Sequence, residues 1–148
     1  MTNVIVGIDV SKSKLDVAVA GNGTVREWGN DERGHRVLSG WLSEQGVELV
    51  VLEASGGIEA ALVSDLVEAG IPVAVVNPTR VRAFARAEGQ LAKTDRIDAQ
   101  LIARFGATMK PKARAIRDQA QLALSQQVTR RRQMVHMVTA EKNRAQTA

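Results

Sequence analysis

Two short apolar runs, each ending in a carboxylic acid, constrain the fold of this chain most strongly. Residues 4–8 (Val-Ile-Val-Gly-Ile) end at Asp9, and residues 47–52 end at Glu53. Runs that are this short and rich in β-branched residues predict buried strands rather than helices. Because an acid at the end of a buried strand is costly without a metal, a partner charge or hydrogen bonds, Asp9 and Glu53 are candidate functional residues.

A second pair of acids lies in the segment Lys-Thr-Asp-Arg-Ile-Asp-Ala at residues 93–99. Thr94 is a suitable N-cap, which predicts a helix from Asp95 to about Phe105 and places Asp95 and Asp98 on one helical face. Together with the two strand-end acids, this pair would form a set of oxygen ligands suited to Mg²⁺ or Mn²⁺ and to metal-assisted phosphodiester chemistry. The alternatives are a helix-dipole role for Asp95 and a capping or solvent-facing role for Glu53.

The other segments alternate between strand and helix patterns. Strands are predicted at residues 15–19, 24–28 and 72–76, and helices at residues 31–45, 58–69 and 78–87. Three antiparallel strands followed by alternating helix and strand predict an α/β fold with a mixed five-stranded sheet flanked by helices. Residues 109–112 predict a break, and the chain from Ile116 onward predicts a long helix with a thin apolar seam suited to pairing with another helix.

Charge is distributed unevenly between the two halves of the chain. Residues 1–78 hold 5 Lys/Arg against 11 Asp/Glu, whereas residues 79–148 hold 15 against 5. The basic half indicates a nucleic-acid phosphate backbone as partner, and a solvated helix surface is the alternative. The candidate nucleic-acid-binding residues are Lys12, Arg80, Arg82, Arg86, Lys93, Arg96 and Arg104.

Composition excludes several other kinds of site. The chain has no Cys and only two His, so disulfides are excluded and a zinc site is not expected. His35 and His136 are predicted at the surface, and the competing acids Asp16 and Glu59 are predicted on solvated faces. No membrane span or signal peptide is predicted, which favours a cytoplasmic protein.

Four motifs occur in sequence order: Val-Gly-Ile-Asp-Val-Ser-Lys at residues 6–12, Glu-Ala-Ser-Gly-Gly at 53–57, Val-Asn-Pro at 76–78, and the 93–99 segment. Together they resemble the N-terminal domain of the DEDD transposases of bacterial insertion sequences. The most specific of them is Lys-Thr-Asp-x-x-Asp-Ala. The resemblance implies a RuvC-like domain with an RNase H-like fold over residues 1–108. It also implies a linker and a basic helical segment over 109–148, suited to a coiled coil and truncated before a C-terminal domain that carries a serine acting in strand exchange.

The same resemblance implies the roles of the four acids. Asp9, Glu53, Asp95 and Asp98 would be the catalytic, metal-binding tetrad, with Mg²⁺ or Mn²⁺ as cofactor. The partners it implies are DNA, a structured guide RNA and further copies of the chain in a dimer or larger assembly, and no membrane.

Three other functions are consistent with parts of the sequence. One is a stand-alone RuvC-like junction resolvase or nuclease, and another is a non-catalytic module for nucleic-acid binding and dimerisation. An actin-like ATPase or sugar kinase fits poorly, because such proteins have Asp-x-Gly where this chain has Asp9-Val10-Ser11.

Overall fold

The computed structural model describes residues 4–89 and 97–113. The elements are β1 (Val4–Val10), β2 (Lys14–Val19), β3 (Val25–Gly29), α1 (Glu32–Gln45), β4 (Val47–Glu53), α2 (Ala60–Glu68), β5 (Val73–Val76), α3 (Pro78–Ala87) and α4 (Ala99–Met109). Within these residues, no helix is long and apolar enough to cross a membrane.

The five strands form one mixed sheet in the order β3-β2-β1-β4-β5. β1, β2 and β3 pair antiparallel, whereas β4 pairs parallel with β1 and β5 parallel with β4. This arrangement confirms the predicted mixed sheet with flanking helices, which is the architecture of an RNase H-like fold. β1 and β4 are therefore direct neighbours, with Ile8 opposite Leu52, so their carboxyl ends meet at one edge of the sheet.

Helices cover the two faces of the sheet. On one face, side chains of β1, β4 and β5 pack against α3 and α4 in a single apolar cluster. Its buried members are Ile5, Leu49, Val51, Ala74, Val76, Val81, Ala85, Ile97, Leu101, Ile102 and Phe105. Because side chains alternate along a strand, Val6, Ile8, Val50 and Leu52 point to the opposite face, where α1 and α2 contribute fully buried leucines.

Two glycines allow α4 to lie unusually close to the sheet. A Cβ atom at Gly7 of β1 would lie 2.3 Å from the Ala103 nitrogen and 2.5 Å from the Ala99 oxygen. A Cβ at Gly106 of α4 would lie 2.7 Å from Val51 Cγ2. The same Cβ would be 2.9 Å from Ile5 Cγ2. The start of α4, at Ala99 and Ala103, contacts Gly7, whereas Gly106 further along the helix contacts the earlier residue Ile5 of β1. The helix α4 therefore runs antiparallel to β1, and its first turn lies toward the edge where β1 and β4 end.

The predicted start of α4 was wrong. The helix begins at Ala99 rather than Asp95, and Asp98 is its N-cap, with an extended backbone at φ −122° and ψ 175°. Asp98 Oδ1 accepts a hydrogen bond from the Leu101 nitrogen at 2.9 Å. Ile97 and Ile102 lie in the same core cluster, at the two positions of a hydrophobic staple, and this burial fixes the cap at Asp98. Asp98 precedes the first residue of the helix, so the expectation that Asp95 and Asp98 share a helical face is wrong. Asp95 itself lies outside the described residues.

Most other predicted elements are confirmed. β4 and α3 have the predicted bounds, and β1, β2, β3, α1, α2 and β5 differ from prediction by one or two residues at an end. α4 ends at Met109 rather than at about Phe105 as predicted, and Lys110 adopts a left-handed conformation at φ 45°, which confirms the break. The long helix predicted from Ile116 lies outside the described residues, and the division into residues 1–108 and 109–148 stays a prediction.

The packing of α4 generates a stability prediction. Gly7→Ala forces a methyl group against the α4 backbone, so we expect the free energy of unfolding to fall by about 3 kcal/mol or more, measured by urea denaturation. The matched control is Gly40→Ala in α1, where an added Cβ meets nothing within 4 Å. Because alanine favours a helix over glycine, the control should be neutral or slightly stabilising. Equal losses in both variants would contradict the proposed close packing.

Candidate active site

Two of the predicted acids lie together at the carboxyl edge of the sheet. Asp9 is the residue after Ile8 on β1, and Glu53 is the residue after Leu52 on β4, so the two acids follow a directly paired position. Both are partly buried, and both belong to the sheet face that α4 covers. The expectation that β1 and β4 would bring these carboxylates together is supported by this register.

Glu53 is held in an environment that disfavours its charge. Burial raises the pKa of Glu53 above its ordinary value of 4.5, and the nearby negative charge of Asp9 raises it further. The positive charge of Arg82 acts in the opposite direction. Among the described residues, Glu53 Oε2 is a buried atom with no hydrogen-bond partner. A buried carboxylate oxygen without a donor is costly, and a bound cation would compensate this cost.

Arg82 belongs to the same site because of how α3 follows β5. Val76 of β5 is paired with Glu53, and the next residue, Asn77, caps α3 by accepting a hydrogen bond from the Thr79 nitrogen at 2.8 Å. α3 therefore starts beside Glu53, and the half-buried Arg82 lies one turn into it. The sequence predicted Arg82 only as a nucleic-acid-binding residue, whereas the structure also places its charge within reach of Glu53.

Asp98 lies toward this edge on the face of the sheet that α4 covers. It stands at the N-terminus of α4, the end that lies toward the carboxyl edge of β1 and β4. Its Oδ1 atom is engaged in capping the helix. Within residues 4–89 and 97–113, no three acidic or histidine side chains form a group that could hold a metal ion. Asp9 and Glu53 are therefore neighbours, Asp98 lies on the same side of the sheet without forming such a group with them, and the complete tetrad stays a prediction.

Asp16 and Glu59, the two competing acids, have different environments. Asp16 is directly opposite Asp9 across β1 and β2, and its Oδ2 lies 3.9 Å from Lys14 Nζ. Its side chain is 29% exposed, so Asp16 is partly buried opposite Asp9 rather than on the solvated face that the sequence predicted. Because like charges on directly paired residues destabilise a sheet, the Lys14 ammonium offsets part of the Asp9–Asp16 repulsion.

Glu59 contradicts its predicted solvated position. It is only 9% exposed, and its Oε1 accepts hydrogen bonds from the Ser55 nitrogen at 2.9 Å and the Gly57 nitrogen at 3.0 Å. Gly56 and Gly57 have φ values of 69° and 105°, which confirms the predicted tight turn. The turn leaves backbone N–H groups that need an acceptor, and an acid shortly after the Ser-Gly-Gly sequence was the available signal. Glu59 therefore shapes the loop that follows Glu53 through its Oε1 atom.

The basic candidates lie on several elements. Arg80, Arg82 and Arg86 are on α3, and the Arg80 guanidinium lies 5.5 Å from the ring centroid of Phe105. Arg104 Nη2 on α4 is 3.4 Å from Glu88 Oε2. Lys12 is exposed in the turn between β1 and β2. Lys93 and Arg96 fall outside the described residues.

His35 was wrongly predicted at the surface. It is 3% exposed on α1, and it shares the buried helical face of Leu38 and Leu42. The spacing of these three residues, at i, i+3 and i+7, was a sequence signal for burial. His136 lies outside the described residues.

The environment of Glu53 predicts how stability depends on pH in a metal-free buffer with chelator. Because the folded-state pKa lies above the ordinary value of 4.5, the stabilising contribution of the protonated side chain is present below pH 4.5. It is lost as pH rises through the folded-state pKa. Glu53→Gln should remove this loss and raise stability at neutral pH by about 1 kcal/mol or less, since solvent screens a partly exposed group.

The measurement is a series of thermal unfolding curves from pH 4 to 8, with Glu48→Gln as the control. Glu48 is an exposed acid on the same strand, so its replacement should leave the pH profile unchanged. If the stability of Glu53→Gln changed with pH just as that of the parent does, the claim that ionised Glu53 destabilises the fold would be wrong.

Residues 6–148 match the model of the DEDD transposase family, described as "Transposase". The pilin gene-inverting proteins of Moraxella bovis and Moraxella lacunata are each 28% identical to this chain over 117 residues. Each alignment covers 75% of this chain and 36% of the relative, so the chain spans about a third of the length of these curated relatives.

Among solved structures, YeaZ from Pseudomonas aeruginosa is similar to this chain, with a TM-score of 0.35 and 19% identity over 60% of this chain and 50% of that one. That likeness is too low to support a functional argument. The family match covers nearly the whole sequence and includes every described element of the site. The chain therefore belongs to the DEDD transposase family.

Proposed function

We infer that this chain is the metal-dependent catalytic domain of a DNA transposase or recombinase, which cleaves and transfers phosphodiester strands during movement of an insertion sequence. The observation that carries this proposal is Glu53 Oε2, which is buried beside Asp9 at the carboxyl edge of the sheet and has no hydrogen-bond partner within residues 4–89 and 97–113. Membership of the transposase family supports it. The printed names of the two curated relatives, which describe inversion of a pilin gene, also suit a recombinase.

Asp9, Glu53, Asp95 and Asp98 would hold the cation. The residues present fit such an ion, because Asp9 raises the pKa of Glu53 and a cation between them would relieve that repulsion. Carboxylate oxygens favour Mg²⁺ or Mn²⁺. When bound, these ions would polarise the scissile phosphate and position the attacking oxygen. Asp98 has Oδ1 committed to the helix cap, so Oδ2 is the atom assigned to the cation.

The chain's basic side chains would hold the nucleic acid. Arg80, Arg82 and Arg86 lie on one helix that starts at the carboxyl edge of the sheet, next to Glu53. Lys12, Lys93, Arg96 and Arg104 complete the proposed phosphate-binding set, with DNA as substrate and a structured RNA as guide. Arg82 would have two roles, as it offsets the charge of Glu53 and lies where a phosphate would meet the acids. A homo-oligomer working in the cytoplasm completes the proposal.

A non-catalytic module for nucleic-acid binding and dimerisation is the second candidate. The observation that favours it is that the described residues contain no ready group of three metal ligands. A stand-alone junction resolvase would cut branched DNA without further domains, whereas a transposase domain need not do so. Metal binding separates the catalytic candidates from the non-catalytic one.

Calorimetric titration of Mn²⁺ into the chain tests the site. We expect saturable binding in the parent and at least about tenfold weaker binding in Asp9→Asn and Asp98→Asn, because each loses a charged ligand. Asp98→Asn keeps an oxygen for the helix cap, so its stability should match the parent. Asp98→Ala should lose both metal affinity and about 1 kcal/mol of stability.

Asp31→Asn is the matched control for this titration. Asp31 is the N-cap of α1 and accepts a hydrogen bond from the Gly34 nitrogen at 2.7 Å, as Asp98 does at α4. It lies outside the proposed site, so its variant should bind Mn²⁺ like the parent. Unchanged binding in Asp9→Asn and Asp98→Asn, or no binding in a folded parent, would favour the non-catalytic candidate.

The nucleic-acid surface is tested by the salt dependence of DNA binding, measured by fluorescence anisotropy. Arg86→Ala on α3 should weaken binding and reduce the slope of log K against log salt by about 0.9, as expected for one lost phosphate contact. Arg33→Ala on α1 is the control, because α1 lies on the opposite face of the sheet from α3. Equal effects of the two changes would show that α3 is not the binding surface.

A further inference from the structure

His35 is a buried titratable group that the proposed chemistry does not use. Its Nδ1 lies 2.7 Å from Asp65 Oδ2 on α2, and its Nε2 lies 2.7 Å from Asn30 Oδ1, just before α1. The His35 side chain is 4% exposed, whereas that of Asp65 is 42% exposed. One imidazole therefore joins the second helix to the segment between β3 and α1.

The hydrogen-bond partners of the ring fix its protonation. Asn30 Nδ2 donates to the Ser11 carbonyl oxygen at 2.8 Å, which orients Oδ1 of the same amide toward His35. Both Asn30 Oδ1 and the Asp65 carboxylate are acceptors, so both ring nitrogens must donate. An imidazolium satisfies every one of these contacts, whereas either neutral tautomer leaves two acceptors facing each other at 2.7 Å.

Asn30 also holds the turn between β1 and β2. Besides its side-chain bond to Ser11, its backbone nitrogen donates to the Ser13 oxygen at 3.1 Å. Within the turn, the nitrogen and Oγ of Ser11 donate to the Lys14 oxygen at 3.0 and 2.9 Å. The turn begins two residues after Asp9 and carries the exposed Lys12. Asn30 is thus the point at which the buried histidine contacts the loop next to the candidate active site.

We propose that His35 is a positioning residue that acts through Asn30. Held between Asp65 and Asn30, it fixes the β1–β2 turn that carries Lys12, and the Lys12 ammonium contacts a nucleic-acid phosphate next to the candidate active site. The ligand of Lys12 rests on the proposed function. The fixing of the turn by His35 does not.

The first test is NMR spectroscopy of the full chain. The imidazole nitrogen spectrum should show both nitrogens of His35 protonated, with His136→Gln used to assign the second histidine. Asp65→Asn changes only a half-exposed side chain, and it should shift the amide signals of residues 11–14 although it lies on another element. Ser64→Ala, a change at the buried neighbour on α2, should leave those signals in place. A neutral His35 ring, or unmoved turn signals in Asp65→Asn, would overturn the positioning role.

The second test is a double-mutant cycle on the binding of a DNA duplex. Lys12→Ala should weaken binding in the parent but have an effect smaller by at least about threefold in the Asn30→Ala background, since residues coupled through one network are not additive. Arg86→Ala should have equal effects in both backgrounds, which separates loss of positioning from general destabilisation.

The two tests fail separately. If Lys12→Ala changes nothing in the parent, the phosphate contact is wrong while the NMR result still decides whether His35 fixes the turn. If Lys12→Ala has the same effect in both backgrounds, the link from Asn30 to Lys12 is overturned even where the parent binds DNA as proposed.

Discussion

The close contact between α4 and β1 is the constraint on which the rest of the site depends. Gly7 has no side chain, so the backbone of α4 rests on the strand at Ala99 and Ala103. This contact fixes the direction of the helix and brings its N-terminus toward the edge where β1 and β4 end. Asp98, one residue before α4, is thereby placed on the side of the sheet to which Asp9 and Glu53 belong.

The edge of the sheet carries an electrostatic cost. Parallel pairing of β1 and β4 places two carboxylates next to each other, and burial adds to the cost of ionising Glu53. Arg82 offsets part of this cost from α3. By contrast, the turns beside these acids are held by hydrogen bonds. Glu59 accepts hydrogen bonds from the loop after Glu53, and Asn30 donates one to the turn after Asp9. Glu53 is thus a costly buried carboxylate between two loops whose polar groups are hydrogen-bonded.

Sequence patterns predicted the elements whose signals are local. The apolar runs before Asp9 and Glu53 specify short strands, and these two acids stand out because each one ends its run, whereas Glu48 lies at the start of the second run. The start of α4 was mispredicted because Thr94 and Asp98 are both good N-caps, and the choice between them depends on the burial of Ile97 in the core. The burial of His35 and Glu59 had local signals in the helical spacing and in the Ser-Gly-Gly turn, whereas the partner of His35, Asp65, is 30 residues away in sequence and could not be predicted from them.

The two glycines at the helix–sheet contact lie on opposite partners, and this has a mechanical consequence. Gly7 is on the strand and Gly106 is on the helix, so a slide of α4 by one turn would bring Ile102 or Lys110 to the position of Gly106. A Cβ there would lie 2.7 Å from Val51 Cγ2, which gives no room for either side chain. The helix α4 can therefore pack on the sheet in only one position along its own axis. The position of the Asp98 carboxylate can therefore change by rotation of its own side chain or by fraying of the first turn of α4, but not by sliding of the helix along the sheet.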